Sequence, residues 1–283
     1  MQRAGILLSV CCALFLGCEE QSDPPSPAPP TIVSSTPAIG SATIHGSVDW
    51  TGPVPRIVPF RSIPDPFTDQ KPPPVQDWPN PNQPRISKDG RLLSAIVWLE
   101  GAHLEAGKPW QSPPVQVELS DDRMTIVQDG VRGNLGLVKT GSSVEFVSRQ
   151  KRYHHVDLRG ADFFSLALPD PDRPFSRRFQ RSGVVELLSA AGQFWMRSYL
   201  VVSDHPFVAR LDARGCFRFT EVPEGTYDLV CWHPNWKVKG HERNQESFRI
   251  QQVRFEDPIR VRKSVTVRPE TTTEVKVTLP VTP

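Results

Sequence analysis

The feature that most constrains this chain is the spacing of its prolines. Thirty of them are spread over 283 residues, about twice the usual ~5%. Proline removes a backbone donor and clashes with the preceding helical turn. A chain punctuated this often has little room for long helices. After residue 40 no sustained 3.6-residue apolar period occurs, and two-residue alternation replaces it. In "ATIHGSVDW" Ile44, Gly46, Val48 and Trp50 share one face, and His45 lies on the other. "SAIVWLE" (94–100) is a dense apolar run. "VQVEL" (115–119), "SVEFV" (143–147), "SYLVV" (198–202), "SVTV" (264–267) and "EVKVTL" (274–279) follow. Many short strands at loop-sized spacing predict an all-β chain of β-sandwiches. "KPPPVQDWPNPNQP" (71–84) reads as a long loop, not a core element. The apolar share of 38% and charged share of 23% are those of a globular protein. A net charge of +2 is too small for a nucleic-acid footprint.

The N-terminus reads as an export signal. Arg3 precedes "AGILLSVCCALFLG" (4–17), which is too short to span a bilayer comfortably. The segment ends in "LFLGC", which resembles the lipobox of bacterial lipoproteins, with Phe15 where leucine is usual. The resemblance implies a signal peptide over 1–17, Cys18 as the lipidated first residue, and an exported chain anchored to the cell envelope. An ordinary signal peptide cut elsewhere and a plain membrane anchor are the alternatives. Residues 18–40 are polar and proline-rich, the composition of a tether.

Beyond the tether the cysteines are Cys216 and Cys231. "GCFRFTEVPEGTYDLVCW" (215–232) reads as a hairpin turning at "VPEG". If Phe217, Phe219, Tyr227, Leu229 and Cys231 share the buried face, Cys216 points the other way. Two free thiols are expected, Cys231 in the core and Cys216 near the surface. Export favours the alternative, a disulfide.

"SDHPFVARLDARGCFRFTEVPEGTYDLVCWHP" (203–234) resembles the carboxypeptidase-regulatory-like domain, a transthyretin-like β-sandwich. The matching features are Gly215, Phe217, Val222-Pro223, Gly225, Tyr227 and Leu229. The resemblance implies a sandwich over 201–283 with no peptidase site of its own. "KDGRLLSAIVWLEG", "TGSSVEFVSRQKRYHHVDL" and "GQFWMRSYLVVSDHPF" resemble, in order, a cupredoxin-like domain. That implies a first sandwich over 41–200, with a proline-rich loop near 51–85. In copper-binding members a histidine-asparagine pair supplies the first ligand. A later Cys-x-x-His-x-Trp-Met run supplies the rest, so that thiolate and imidazole hold the ion beside a weak thioether. Here His154 falls at the first-ligand position and His155 at the asparagine. Trp195 and Met196 match the end of the run, while the cysteine and second histidine positions are Ala190 and Gln193. The resemblance therefore implies a copper site that has lost its strongest ligands, with no metal or other cofactor. His154 and Met196 are its vestiges, and Trp195 and Met196 are expected to fill core. His155, as a strand neighbour of His154, faces the other way.

Trp232 and His233 are a candidate binding surface for a sugar or partner. The blander alternative is a tryptophan closing the sandwich beside an exposed histidine. Asp170 and Asp172 lie near Arg173, Arg177, Arg178 and Arg181, and read as a charged solvent loop more than a calcium or acid-base site. No nucleophile elbow, zinc-protease helix, P-loop or dinucleotide fingerprint occurs. The expectation is a non-catalytic envelope lipoprotein, membrane-bound through its lipid, that binds a protein or glycan partner. The alternatives are a copper-binding or electron-transfer protein with an atypical site at His154, and a carbohydrate-binding accessory protein.

Overall fold

The computed structural model describes residues 41–62, 75–104 and 108–280. The expected signal segment, the tether and Cys18 lie outside the described residues. All regular elements among the described residues are β-strands, as the prolines and the alternation require.

Two sandwiches are built from four sheets. One sandwich pairs a three-stranded sheet with a four-stranded one. The three-stranded sheet holds β1 (Ala42–Thr51), flanked by β16 (Cys216–Val222) and β21 (Thr272–Pro280). The four-stranded sheet runs β15 (Val208–Arg210), β4 (Ile96–Glu100), β17 (Gly225–His233), β20 (Ile259–Val267). Their shared core contains Ile44, Val48, Trp50, Val97, Leu99, Phe217, Phe219, Tyr227, Leu229 and Cys231. The expected face of β1 is buried and His45 is exposed. Gly46 is required there: a Cβ would sit 2.3 Å from the Val275 carbonyl oxygen and 2.5 Å from the Phe217 ring.

The other sandwich spans 115–203. One sheet runs β11 (Phe164–Leu168), β10 (His154–Gly160), β13 (Gly183–Ser189), β14 (Arg197–Ser203), β8 (Leu135–Lys139). The other runs β12 (Phe175–Arg178), β9 (Ser143–Ser148), β5 (Val115–Ser120), β6 (Arg123–Gln128), β7 (Val131–Gly133). Asp129 and Gly130 have φ of 52° and 69°, the left-handed pair that a two-residue turn between β6 and β7 demands.

The two sandwiches stack back to back. Ile96, Trp98, Val208, Val230 and Trp232 on the outer face of the four-stranded sheet meet Leu135, Tyr199 and Val201 on the outer face of the β8–β14 sheet. β4 and β14 are therefore buried on both faces, which explains why "SAIVWLE" and "SYLVV" read as continuous apolar runs. Burying each large side chain in this layer contributes about 1.5–3 kcal/mol.

Two sequence expectations change. The strand pairing does not follow a division of 41–200 from 201–283. β1 and β4 pair with β16 and β17, so the 115–203 sandwich is an insertion between β4 and β15. Alternation fixes which face of a strand is buried, not which strand lies beside it. Second, 215–232 is not a hairpin ladder. β16 and β17 lie in opposite sheets, and "VPEG" carries the chain across the core, with the Tyr227 hydroxyl donating to the Pro223 carbonyl at 3.0 Å. The facing of the aromatics survives, because both strands line the same core.

Candidate functional site

The proline-rich segment expected to be a loop outside the core is partly interior. β2 (Phe60–Ser62) pairs with β3 (Gln76–Trp78), and Trp78 is buried, stacked on Trp195 at 5.0 Å between ring centroids and 5° between planes. Asn80 and Asn82 follow, both buried. Asn80 Nδ2 donates to the Trp236 carbonyl (3.0 Å) and Asn82 Nδ2 to the Asn235 carbonyl (2.8 Å). From the inserted sandwich, the Tyr199 hydroxyl donates to Asn82 Oδ1 (3.0 Å) and Asn134 Nδ2 to the Pro81 carbonyl (2.7 Å). Residues 78–86 are thus pinned to both sandwiches at once. Proline suits this path, since a segment outside any ladder does not need every N–H.

Under this segment lies a cleft of about 820 Å³, in the upper part of the ~300–1,000 Å³ range of small-molecule sites. The roof gives Gln83, Arg85 and Ile86. The inserted sandwich gives Asp122, Arg123, Thr125, Asn134 and Trp195, and the segment entering β4 gives Leu93 and Ser94. Asp122 is paired with Arg152, Arg132 with Glu118 at 3.0 Å, and Arg197 with Glu186 at 2.8 Å. Arg197 also donates to the Val253 carbonyl at 2.6 Å and lies 4.6 Å from the Phe255 ring centroid. It thereby ties β14 to the hairpin of β18 (Val238–Arg243) and β19 (Ile250–Phe255).

Ser94 Oγ lies 3.2 Å from His233 Nε2 and accepts the Arg85 N–H at 2.9 Å. This contact joins a nucleophile type to a base type at the edge of the cleft. Its chemistry argues against catalysis. Burial lowers the His233 pKa to about 4. No carboxylate contacts its Nδ1 among the described residues, so nothing would stabilise the imidazolium that a general base must become.

The sequence-derived candidates scatter. His233 is 1% exposed and Trp232 4% exposed, so neither forms the surface expected of them. Trp232 faces the inter-sandwich layer, 5.3 Å from Tyr199 between ring centroids. The expectation of an exposed His233 failed because β17 is covered on both faces. Cys231 is buried and Cys216 partly exposed, and both are free. Burial pushes the Cys231 thiol up to about 12, while Cys216 Sγ accepts from Arg91 Nη1 at 3.2 Å. Asp170 pairs with Arg173 and Asp172 with Arg149, all on the surface.

His154 is fully buried and Met196 sits in the core of the inserted sandwich. His155 is turned to the opposite strand face, 3.7 Å from Asp157. His154 Nε2 contacts Gln150 Oε1 at 3.1 Å, while its Nδ1 has no partner. Burial first, then the charge of Arg152, lowers its pKa, which disfavours the charged ring. Gln193 Oε1 accepts from the Ser189 hydroxyl at 3.0 Å, and the Ala190 N–H is spent on the His155 carbonyl at 2.8 Å. The donors at these positions are one imidazole, one thioether and an engaged amide. That set does not fit a thiolate-bound copper ion, and Cys231 belongs to the other sandwich's core.

Fold and site together define an all-β protein of two stacked sandwiches with a cleft of mixed polar and apolar lining at their junction. No family model matches the chain, and no curated protein matches it. Solved structures of amicyanin do match. A methionine-to-glutamine mutant in the Cu(I) form is 18% identical over 32% of this chain and 83% of its own, with a TM-score of 0.26. The reduced state of a proline-to-phenylalanine mutant is 18% identical over 34% and 95%, and an oxidized proline-to-alanine mutant 21% over 34% and 95%, each with a TM-score of 0.26. Likeness at this level carries no argument about the site.

Proposed function

We propose that this chain is a non-catalytic binding protein of the cell envelope, held to the membrane through a lipid on Cys18, whose ligand enters the cleft between the sandwiches. The observation that carries the reading is the asparagine-pinned roof. Three side-chain amides and a tyrosine hydroxyl hold residues 78–86 over a concavity that both sandwiches line. A prepaid, ordered site costs a ligand less to occupy than a loop that must be fixed on binding. In this reading the inserted sandwich is a cupredoxin-like unit without copper, and the sandwich around it a carboxypeptidase-regulatory-like unit. "TGSSVEFVSRQKRYHHVDL" and most of "GQFWMRSYLVVSDHPF" fall in the inserted sandwich and the 203–234 stretch in the surrounding one, which supports the two assignments, while "KDGRLLSAIVWLEG" falls on β4 of the surrounding sandwich and does not.

A photo-crosslinking residue at Gln83, in the full lipid-anchored chain in cells, tests the site. A discrete adduct is expected at Gln83 and not at Glu246, an exposed position on the β18–β19 hairpin. The same adducts at both positions, or none at Gln83, would sink the proposal. The copper alternative has one observation in its favour, the unpartnered His154 Nδ1. Copper titration of the purified chain is expected to give no intense thiolate band. Stoichiometric uptake lost in His154→Ala would reverse that conclusion.

A further inference from the structure

The charges of the cleft do not cancel. Asp122, Arg132 and Arg197 are each paired. Arg85 on the roof and Arg123 at the start of β6 are both exposed, and neither joins an ion pair among the described residues. The roof and the inserted sandwich thus each contribute to the lining one arginine without an ion pair. A groove with low-dielectric walls focuses such a field on an entering anion. The planar fork of arginine matches a carboxylate with two parallel hydrogen bonds. The lining also offers Gln83 and Thr125, an amide and a hydroxyl that both donate and accept, as a chain of vicinal hydroxyls needs, whereas Ser94 and the Asn134 amide are already engaged inside the protein. Half-buried Trp195 adds apolar surface.

On the reading that the cleft is the binding site, we propose that its ligand is an acidic oligosaccharide, a sugar chain bearing carboxylates that Arg85 grips from the roof and Arg123 from the inserted sandwich. The cleft volume suits several rings, and spaced carboxylates would meet the two arginines in turn. Neutral sugars would find the amides without the charges and bind more weakly.

Calorimetric titration of the purified full-length chain in detergent tests this, using a trimer of galacturonate, a neutral maltotriose and a triglutamate peptide as probes. Trigalacturonate is expected to bind. Its affinity should fall about tenfold or more in Arg85→Gln/Arg123→Gln, since two charge-assisted contacts go at once, and should weaken as salt rises. Arg218→Gln, an exposed change on β16 away from the cleft, should leave it unchanged. No binding of trigalacturonate, binding indifferent to the double substitution, or equal binding of maltotriose or triglutamate would each overturn the proposal. The crosslink at Gln83 separates the two readings. An adduct there without uronate affinity leaves the cleft standing and removes the acidic sugar, whereas loss of both removes the site as well.

Discussion

His233 gives this fold a definite acid sensitivity. Its ring is buried between Ser94, 3.2 Å from Nε2, and Trp236, 5.9 Å between ring centroids and nearly perpendicular at 78°. Burial lowers its pKa from 6.5 to about 4, with the Pro234 backbone opposing. The folded chain therefore holds the neutral ring, while the unfolded chain takes up a proton first as pH falls. The sign follows: this stabilisation is complete above the unfolded value of about 6.5, and is lost as pH falls from there towards about 4. At about 1.4 kcal/mol per pH unit the whole effect is about 3 kcal/mol. Urea unfolding at several pH values between about 7 and 4.5 measures it, comparing the native chain with His233→Gln. Glutamine keeps a group for Ser94 and does not titrate. The shared carboxylates and His154, whose lowered pKa acts in the same direction, cancel in the comparison. The native chain should lose about 2.5 kcal/mol more than the variant by about pH 4.5. Parallel curves would refute the reasoning, because a ring that charges at no cost is not in a buried, unpaired setting.

Three further outcomes follow from the packing. Gly46→Ala should cost about 3 kcal/mol or more in urea unfolding, because the new methyl meets the Val275 carbonyl and the Phe217 ring; a loss under about 1 kcal/mol would mean β1 can shift. Alkylation of the folded chain followed by mass mapping should label Cys216 within minutes and Cys231 only after unfolding, as its burial and raised pKa require. Asn82→Ala removes bonds to Asn235 and Tyr199 and should cost about 2–4 kcal/mol. It should also weaken the Gln83 crosslink without touching an arginine.

Local chemistry made some of this legible in the sequence. The buried face of β1, the opposite facing of Cys216 and Cys231, and the surface pairing of Asp170 with Arg173 all depend on residues close in the chain. What stayed hidden depends on partners far away. "SAIVWLE" is visibly apolar, yet nothing in it says that Leu99 will face Leu229 while Trp98 meets the inserted sandwich. His233 looks like a surface residue after an aromatic, yet β17 is covered on both faces and the ring's polar contact comes from a serine 139 positions earlier. Asn80 and Asn82 look like ordinary loop residues between prolines. Their signal, a buried amide, appears only when carbonyls 153 and 156 positions away are in place. Polar burial is decided by satisfaction at long range, which two-residue periodicity does not report.

The insertion also explains why the cleft lies where it does. β4 and β17 must be covered on both faces, and the inserted sandwich supplies the second cover. Two twisted sheets stacked this way cannot stay in contact out to their margins, so a gap opens beside the shared layer. A chain that only needed stability would fill such a gap with apolar side chains. This one roofs it with buried asparagines and includes in its lining two arginines with no ion pair among the described residues. Ordering the roof costs conformational entropy for every residue it fixes, and the amide hydrogen bonds that offset this cost contribute only about 1 kcal/mol each. An arrangement so evenly balanced gains little as scaffolding. On the proposed reading it gains more as a site, because rigid walls from two sandwiches and a fixed roof would present the same geometry to every ligand that arrives.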